Sequence, residues 1–348
     1  MNKDIGLRKL VIKPTLLCNQ NCKTCSSRQE LHHLLKKERC LSLSEWAKVL
    51  SDANDLGLSK FSISGGEPTI YKNLTDLIKI GRSYNWFVSL NTNGSLITKE
   101  YAEKLLEAGL NQARVSLYSH DPDSHKEMRS NKGLWKRATN AVRIFSDMQK
   151  KYSDFNIVTQ MLISKDNYLH LPEIMKLHYD LGSTRMYLSY LEGDFNKQNL
   201  LTERDIFKLK SDVIPKAISF ANQLDKSSRK EAIHALENLY NDKLADISDY
   251  AEGVYRPENK EITPCSIPKK QALILANGDV HPCNIVEYSH EPIIGNVLEE
   301  NLTAIWTGKK WTQFREDYFH KGPVDYCQLC PMNLTKKSFF RLRAEADL

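Results

Sequence analysis

The chain has 348 residues, 41% hydrophobic and 26% charged, which is room for one large domain and a smaller one. Its formal net charge is +6, and no basic run is dense enough to argue for nucleic acid; the basic residues scattered from Lys3 to Lys13 and from Lys336 to Arg343 read as solvated surface. The first residues are polar and no apolar run approaches the ~18 residues of a membrane span. The expected location is therefore the cytosol, where the eight cysteines are thiols or metal ligands rather than disulfides.

Strand-like and helix-like segments alternate from about residue 8 to 190. Leu10-Val11-Ile12 is a short β-rich run. Ser42-Leu43-Ser44-Glu45 offers a capping box, after which Leu43, Trp46, Val49, Leu50 and Ala53 recur at helical spacing until Gly57. Phe61–Ser64 predicts the second strand, and a helix carries Leu74, Leu77 and Ile78. Phe87–Leu90 is the third strand, followed by a helix from Thr98 to Gly109. Ala113–Leu117 is the fourth, followed by the amphipathic stretch Leu134–Met148. Asn156–Ile163 and Met186–Tyr190 complete six strands, separated by a helix from Leu171 to Leu181. Repeated strand–helix units imply a parallel sheet, either curled into an open barrel or doubly wound. Ile206 to Ala221 and Ile233 to Tyr240 form two helical stripes with no strand between, a helical connector. A polar loop with Pro257 and Pro264 follows. Ala272–Leu275, then Asn277-Gly278, then Val280-His281 predicts a hairpin.

Cys18-x3-Cys22-x2-Cys25 follows the first strand. Thiolates are soft ligands suited to iron–sulfur clusters and zinc. Three of them leave one position of a four-iron cluster open to a cofactor or substrate, whereas a zinc knuckle needs a fourth ligand such as His32 or His33. Lys13-Pro14-Thr15-Leu16-Leu17-Cys18-x3-Cys22-x2-Cys25 resembles the signature of the radical S-adenosylmethionine superfamily. The end of the second strand, Ser64-Gly65-Gly66-Glu67-Pro68, resembles that superfamily's cofactor-contacting GGEP motif. The resemblance implies that Cys18, Cys22 and Cys25 hold a [4Fe–4S] cluster and that the Gly65–Glu67 backbone meets the methionyl ammonium. It extends to Leu90–Gly94, where Asn93 would lie near the cofactor, and to Val115–Ser119, where Ser116 would meet the cofactor's carboxylate. It reaches His125-x3-Arg129, where Arg129 would pair with that carboxylate. Lys126 and Ser130 depart from this last pattern. Tyr118 and Asp121 fall near the site mouth.

A second set comprises Cys265, Cys283, Cys327 and Cys330. By spacing alone the four could hold zinc or a cluster. The element Cys265-x12-Gly278-x4-Cys283, with Gly295-Asn296-Val297, Leu302, Ile305-Trp306 and the terminal Cys-x2-Cys, resembles the SPASM/twitch extension of the same superfamily. Full SPASM domains carry seven cysteines, so four imply the shorter twitch-like form with one auxiliary [4Fe–4S] cluster. With both resemblances the fold is read as α/β. Residues 1–200 form a partial (β/α)6 open barrel, 201–262 a helical connector and 263–348 a small twitch-like iron–sulfur module.

The resemblance implies reductive cleavage of S-adenosylmethionine to a 5′-deoxyadenosyl radical, with flavodoxin or ferredoxin as electron donor. That radical abstracts hydrogen from a substrate carbon, and the auxiliary cluster serves dehydrogenation or epimerisation. Two substrates are weighed: a small polar metabolite (a sugar, aminocyclitol or nucleotide-linked sugar) and a ribosomally made precursor peptide. The first strand begins near the N-terminus, leaving no room for a leader-binding domain, and only four auxiliary cysteines exist; both features favour the metabolite. A non-catalytic iron–sulfur or zinc scaffold is the third reading, and a cofactor pocket would be wasted on it. Cys40 is the leftover thiol and a candidate hydrogen donor if it faces the barrel.

Overall fold

Six strands are expected from the sequence, and those that alternate apolar residues with polar ones, such as Phe87–Thr92 and Gln112–Ser116, can bury one side and offer the other to a cavity. In the computed structural model, which describes residues 6–25, 40–129, 132–191, 198–239, 266–283 and 292–320, these are β1 (Lys9–Lys13), β2 (Lys60–Ile63), β3 (Phe87–Thr92), β4 (Gln112–Ser116), β5 (Asn156–Ile163) and β6 (Arg185–Tyr190). They pair in parallel, in chain order, from β1 to β6. This order separates the two architectures that the sequence left open. A doubly wound sheet reverses its strand order at a switch point and sends helices to both faces. Here the order does not reverse, so right-handed crossovers place the intervening helices on one side and leave a concave face on the other. β6 ends the sheet instead of returning to β1, so the barrel is open.

The helices α1 (Leu43–Asp55), α2 (Leu74–Ser83), α3 (Lys99–Glu107), α4 (Pro122–Arg129), α5 (Lys132–Gln149) and α6 (Leu171–Asp180) lie between these strands. The capping box at α1 forms as expected: Glu45 N donates to Ser42 Oγ at 3.3 Å and Ser42 N donates to Glu45 Oε2 at 2.8 Å. Leu10 and Ile12, Phe61 and Ile63, Val88 and Leu90, and Ala113 and Val115 pack with Trp46, Leu50, Leu77, Leu105 and Phe145 in the main core. A second core joins Met161, Ile163, Met186 and Leu188 to α6 and to the connector helices α7 (Glu203–Lys208), α8 (Ile214–Ala221) and α9 (Lys226–Leu239). A π-helical turn, Leu209–Val213, precedes α8. Pro215 supplies its cause, because proline cannot donate to the carbonyl four residues back.

The C-terminal segment extends the sheet. It contains α10 (Ile267–Lys270), β7 (Gln271–Leu275), β8 (Asp279–His281), β9 (Gly295–Asn296), α11 (Leu302–Thr307) and α12 (Lys309–His320). The expected hairpin is β7–β8, with Gly278 at φ +94° in its turn. β7 also pairs in parallel with β1, Lys9 opposite Gln271 through Lys13 opposite Leu275, making one nine-stranded sheet. Ala272, Ile274, Leu302, Trp306 and Trp311 belong to the main core, and Leu302 N donates to Asp52 Oδ2 at 2.9 Å. No described helix is long and apolar enough to cross a membrane.

Candidate active site

The cysteine loop leaves the C-terminal end of β1, and the loops after β2, β3 and β4 meet it there, at the end of a parallel sheet where α/β folds build their sites. Backbone bonds fasten the loops together. Gly66 N donates to Thr15 O at 3.0 Å and Glu67 N to Leu17 O at 2.8 Å; on the far side Lys23 N donates to Met128 O at 3.3 Å. Cys22 Sγ lies 4.0 Å from Arg129 O. As placed, no three His, Cys, Asp or Glu side chains among the described residues form a metal-binding group.

The sequence assigned Gly65 and Gly66 to a close approach by a ligand. The structure shows an approach by the chain itself. A Cβ on Gly65 would stand 2.4 Å from Thr15 O, and one on Gly66 would stand 2.2 Å from Leu17 O. Glu67 is buried, and its carboxylate is a staple. Oε1 accepts from Thr69 N at 3.1 Å, Thr69 Oγ1 at 2.5 Å and Thr92 Oγ1 at 2.7 Å; Oε2 accepts from Asn93 N at 2.7 Å. Pro68 opens the 3-10 turn Pro68–Ile70 that this carboxylate caps. Asn93 in turn donates to Asn19 Oδ1 at 2.9 Å, so the end of β3 grips the cysteine loop. Thr92 lies in the Leu90–Gly94 segment already singled out, whereas Asn19 carries no sequence signal of this role.

Ser116 ends β4 and bonds to the side chain of Tyr118. Arg129, on the last turn of α4, is buried with its Cζ 4.6 Å from the Tyr118 ring centroid, and its Nε has no hydrogen-bond partner among the described residues. Burial opposes the guanidinium's charge, but Cys22, Tyr118, Cys25 and Cys18 together hold its pKa above the usual arginine value. Cys18 is open to solvent on one side. Packing on the other, with the charges of Glu67, Cys22 and Cys25, pushes its thiol up to about 11 against the opposing Gln20 N–H. A thiol in that state becomes a thiolate at neutral pH when a metal cation takes it. Three thiols on one loop, a buried cation beside them with an orphaned N–H, and glycines that seat the loop fit an iron–sulfur cluster with a cofactor that presents a carboxylate. Cys40 is exposed next to Leu41, whose N donates to Ala276 O. Cys283 is half-buried just beyond β8; Cys265, Cys327 and Cys330, with His32 and His33, lie outside the described residues.

Asn167, which the sequence reading passed over, ties the ends of β4 and β5 together. Its Nδ2 donates to Tyr118 O at 3.1 Å and Leu162 O at 2.8 Å, and its Oδ1 accepts from Ser164 N at 2.9 Å. Two buried histidines stand behind this corner. His178 donates from Nε2 to Leu117 O at 3.1 Å, and burial lowers its pKa to about 3. Burial, and then Arg129, lowers that of His125 to about 3. Both stay neutral in the fold, while unfolded imidazoles take protons near pH 6.5. Stability is therefore full above about pH 6.5 and lost as pH falls toward 3, at about 1.4 kcal/mol per pH unit for each histidine. The urea midpoint is expected to fall between pH 7 and pH 5, and His178→Leu is expected to make that fall shallower. An unchanged slope in His178→Leu would sink the assignment.

An open parallel barrel whose C-terminal rim carries a three-thiol loop defines a metal-cluster enzyme. Comparison with known proteins places it further. The Radical SAM superfamily model matches residues 12–178, and the SPASM model, an iron–sulfur cluster-binding domain, matches residues 265–331. The chain belongs to the radical SAM superfamily and carries a SPASM domain, so its cofactors are an S-adenosylmethionine-binding [4Fe–4S] cluster, S-adenosylmethionine and auxiliary iron–sulfur. It is 25% identical to a PqqA peptide cyclase of Gluconobacter oxydans over 325 residues, which is 92% of this chain and 82% of that one. A probable GTP 3′,8-cyclase of Methanocaldococcus jannaschii is 29% identical over 186 residues, 53% of this chain and 59% of the other. In fold, Streptococcus suis SuiB bound to precursor peptide SuiA superposes with a TM-score of 0.65 at 18% identity, covering 94% of this chain and 70% of that one.

Proposed function

We propose that this radical SAM enzyme modifies a ribosomally synthesised precursor peptide. The observation that carries the reading is the extent of the match. The peptide cyclase aligns over 92% of the chain, whereas the nucleotide cyclase aligns over 53%. The balance between metabolite and peptide, which the cysteine count tilted toward the metabolite, moves to the peptide. When bound, the cluster and S-adenosylmethionine supply hydrogen abstraction by a 5′-deoxyadenosyl radical. Cys18, Cys22 and Cys25 hold that cluster. The Gly65–Pro68 turn, Asn93, Ser116 and Arg129 orient the cofactor, with Arg129 facing its carboxylate. Cys265, Cys283, Cys327 and Cys330 hold one auxiliary cluster, and flavodoxin or ferredoxin delivers the electron.

Anaerobic reconstitution should give about eight irons per chain. 5′-Deoxyadenosine should then form faster with a panel of precursor peptides than with a panel of sugars and nucleotides. Cys22→Ala should abolish its formation, and Cys327→Ala should leave uncoupled cleavage without peptide product. Stimulation by the metabolite panel alone would return the substrate to the small-molecule class. About four irons with one zinc would remove the auxiliary cluster.

A further inference from the structure

None of the seven parallel strands β1 to β7 contains an aspartate or a glutamate. Successive residues of a strand face opposite sides, and Leu10, Ile12, Phe61, Ile63, Ala113, Val115, Met186 and Leu188 face the helices. The opposite, concave face therefore receives Lys9, Lys13, Lys60, Arg114 and Arg185. Parallel register sets Asn91, Arg114, Val158 and Arg185 in one row across β3 to β6. The next row toward the site carries Ser116, Gln160 and Tyr187. Arg114 is thus one row, about 7 Å, deeper than Ser116. With no carboxylate on the strands themselves, the arginines of this face are placed to meet anions.

The two arginines differ. Arg185 Nε donates to Glu231 Oε2 on α9 at 2.7 Å, so its carboxylate is supplied by the fold. Arg114 lays its Cζ 3.9 Å from the Tyr187 ring centroid, and its buried Nε has no hydrogen-bond partner among the described residues. Stacking fixes the plane of the guanidinium and leaves its edge, the side that matches a carboxylate, to be satisfied. Arg129, at the rim beside the thiols, is the cation placed for the cofactor; Arg114 lies below it, on the floor of the barrel.

We propose that Arg114, held by Tyr187, binds a carboxylate side chain of the substrate, so that the peptide enters the barrel with an aspartate or glutamate at its deepest point. This rests on the peptide reading. The test uses reconstituted holoenzyme with S-adenosylmethionine and two sets of fluorescein-labelled decapeptides that differ only in glutamate against glutamine. By anisotropy the glutamate set should bind at least about tenfold tighter. Arg114→Met should erase that preference, and Arg114→Lys should keep part of it, with thermal melts showing both variants folded. Equal affinity for the two sets, or a preference that survives Arg114→Met, overturns the proposal. So does loss of the S-adenosylmethionine-induced change in the reduced cluster's EPR spectrum in Arg114→Met, which would assign the residue to the cofactor. If neither peptide set binds but glutarate binds the wild type and not Arg114→Met, the carboxylate site stands and the peptide reading fails. If nothing binds, the site fails too.

Discussion

Gly66→Ala is expected to strip the enzyme of most of its N-terminal cluster. A methyl group there would stand 2.2 Å from Leu17 O and 2.4 Å from Leu16 O. Both neighbours are backbone, so no side chain can swing away. Relief requires Leu16 and Leu17 to move, and Cys18 is the next residue. The same loop is tied to the turn by Glu67 N donating to Leu17 O at 2.8 Å, a bond that lengthens if the loop retreats. Overpacking costs about 1–3 kcal/mol, more where nothing can relax. Gly65→Ala adds conformational strain, because φ there is +141° and its Cβ would stand 2.4 Å from Thr15 O. Each variant should lose several degrees of melting temperature, on the order of 5 °C. Each should also reconstitute to well under half of the wild-type N-terminal cluster, read as iron and the reduced-cluster EPR signal. Gly57→Ala is the control. Its φ is +85° but no atom lies within 4 Å, so it should lose stability by about 1 kcal/mol and keep its iron. Wild-type iron in Gly66→Ala would show that the loop does not depend on this contact.

That coupling marks the boundary of what the sequence discloses. The strands were legible because Leu10-Val11-Ile12 is a short β-rich run, because Val88 and Leu90 alternate with polar residues, and because each strand–helix unit is local in the chain. The cysteine triplet and Gly65–Pro68 were legible because their chemistry needs fixed residue types at fixed spacing. The pairing of β1 with β7 was not, since it joins Lys9–Lys13 to Gln271–Leu275 across most of the chain and neither segment names its partner. The C-terminal segment was therefore expected as a separate module, whereas its described part shares the sheet and core of the barrel. Arg114 was invisible for the same reason. Within β4 it is one polar residue among alternating ones, and only the register that sets it beside β5 and β6 shows a guanidinium on Tyr187.

Glu67 is legible in the sequence as a motif residue whose backbone the resemblance sets at the cofactor, while the work of its side chain emerges only from the structure, and its substitution is the sharpest remaining test. A carboxylate offers about four lone-pair sites. Four donors reach this one, Thr69 N, Thr69 Oγ1 and Thr92 Oγ1 at Oε1 and Asn93 N at Oε2, in a side chain that is 1% exposed. The side chain is thereby committed to the protein's own donors. It acts by fixing Asn93, which holds Asn19 in the cysteine loop. Glu67→Gln keeps the size but turns one acceptor into a donor. Set toward Asn93, the new amide faces an N–H and leaves both unsatisfied, at about 1–3 kcal/mol. Set toward the threonines, it meets up to three donors and costs more. Glu67→Ala strands all four donors and should cost about 3–5 kcal/mol. Stability should thus fall in the order wild type, Gln, Ala. The affinity for S-adenosylmethionine, read from its effect on the reduced-cluster EPR spectrum, should weaken about tenfold in Glu67→Gln as Asn93 is released. If melting temperature drops while that affinity holds, the staple stabilises the fold but does not position the site.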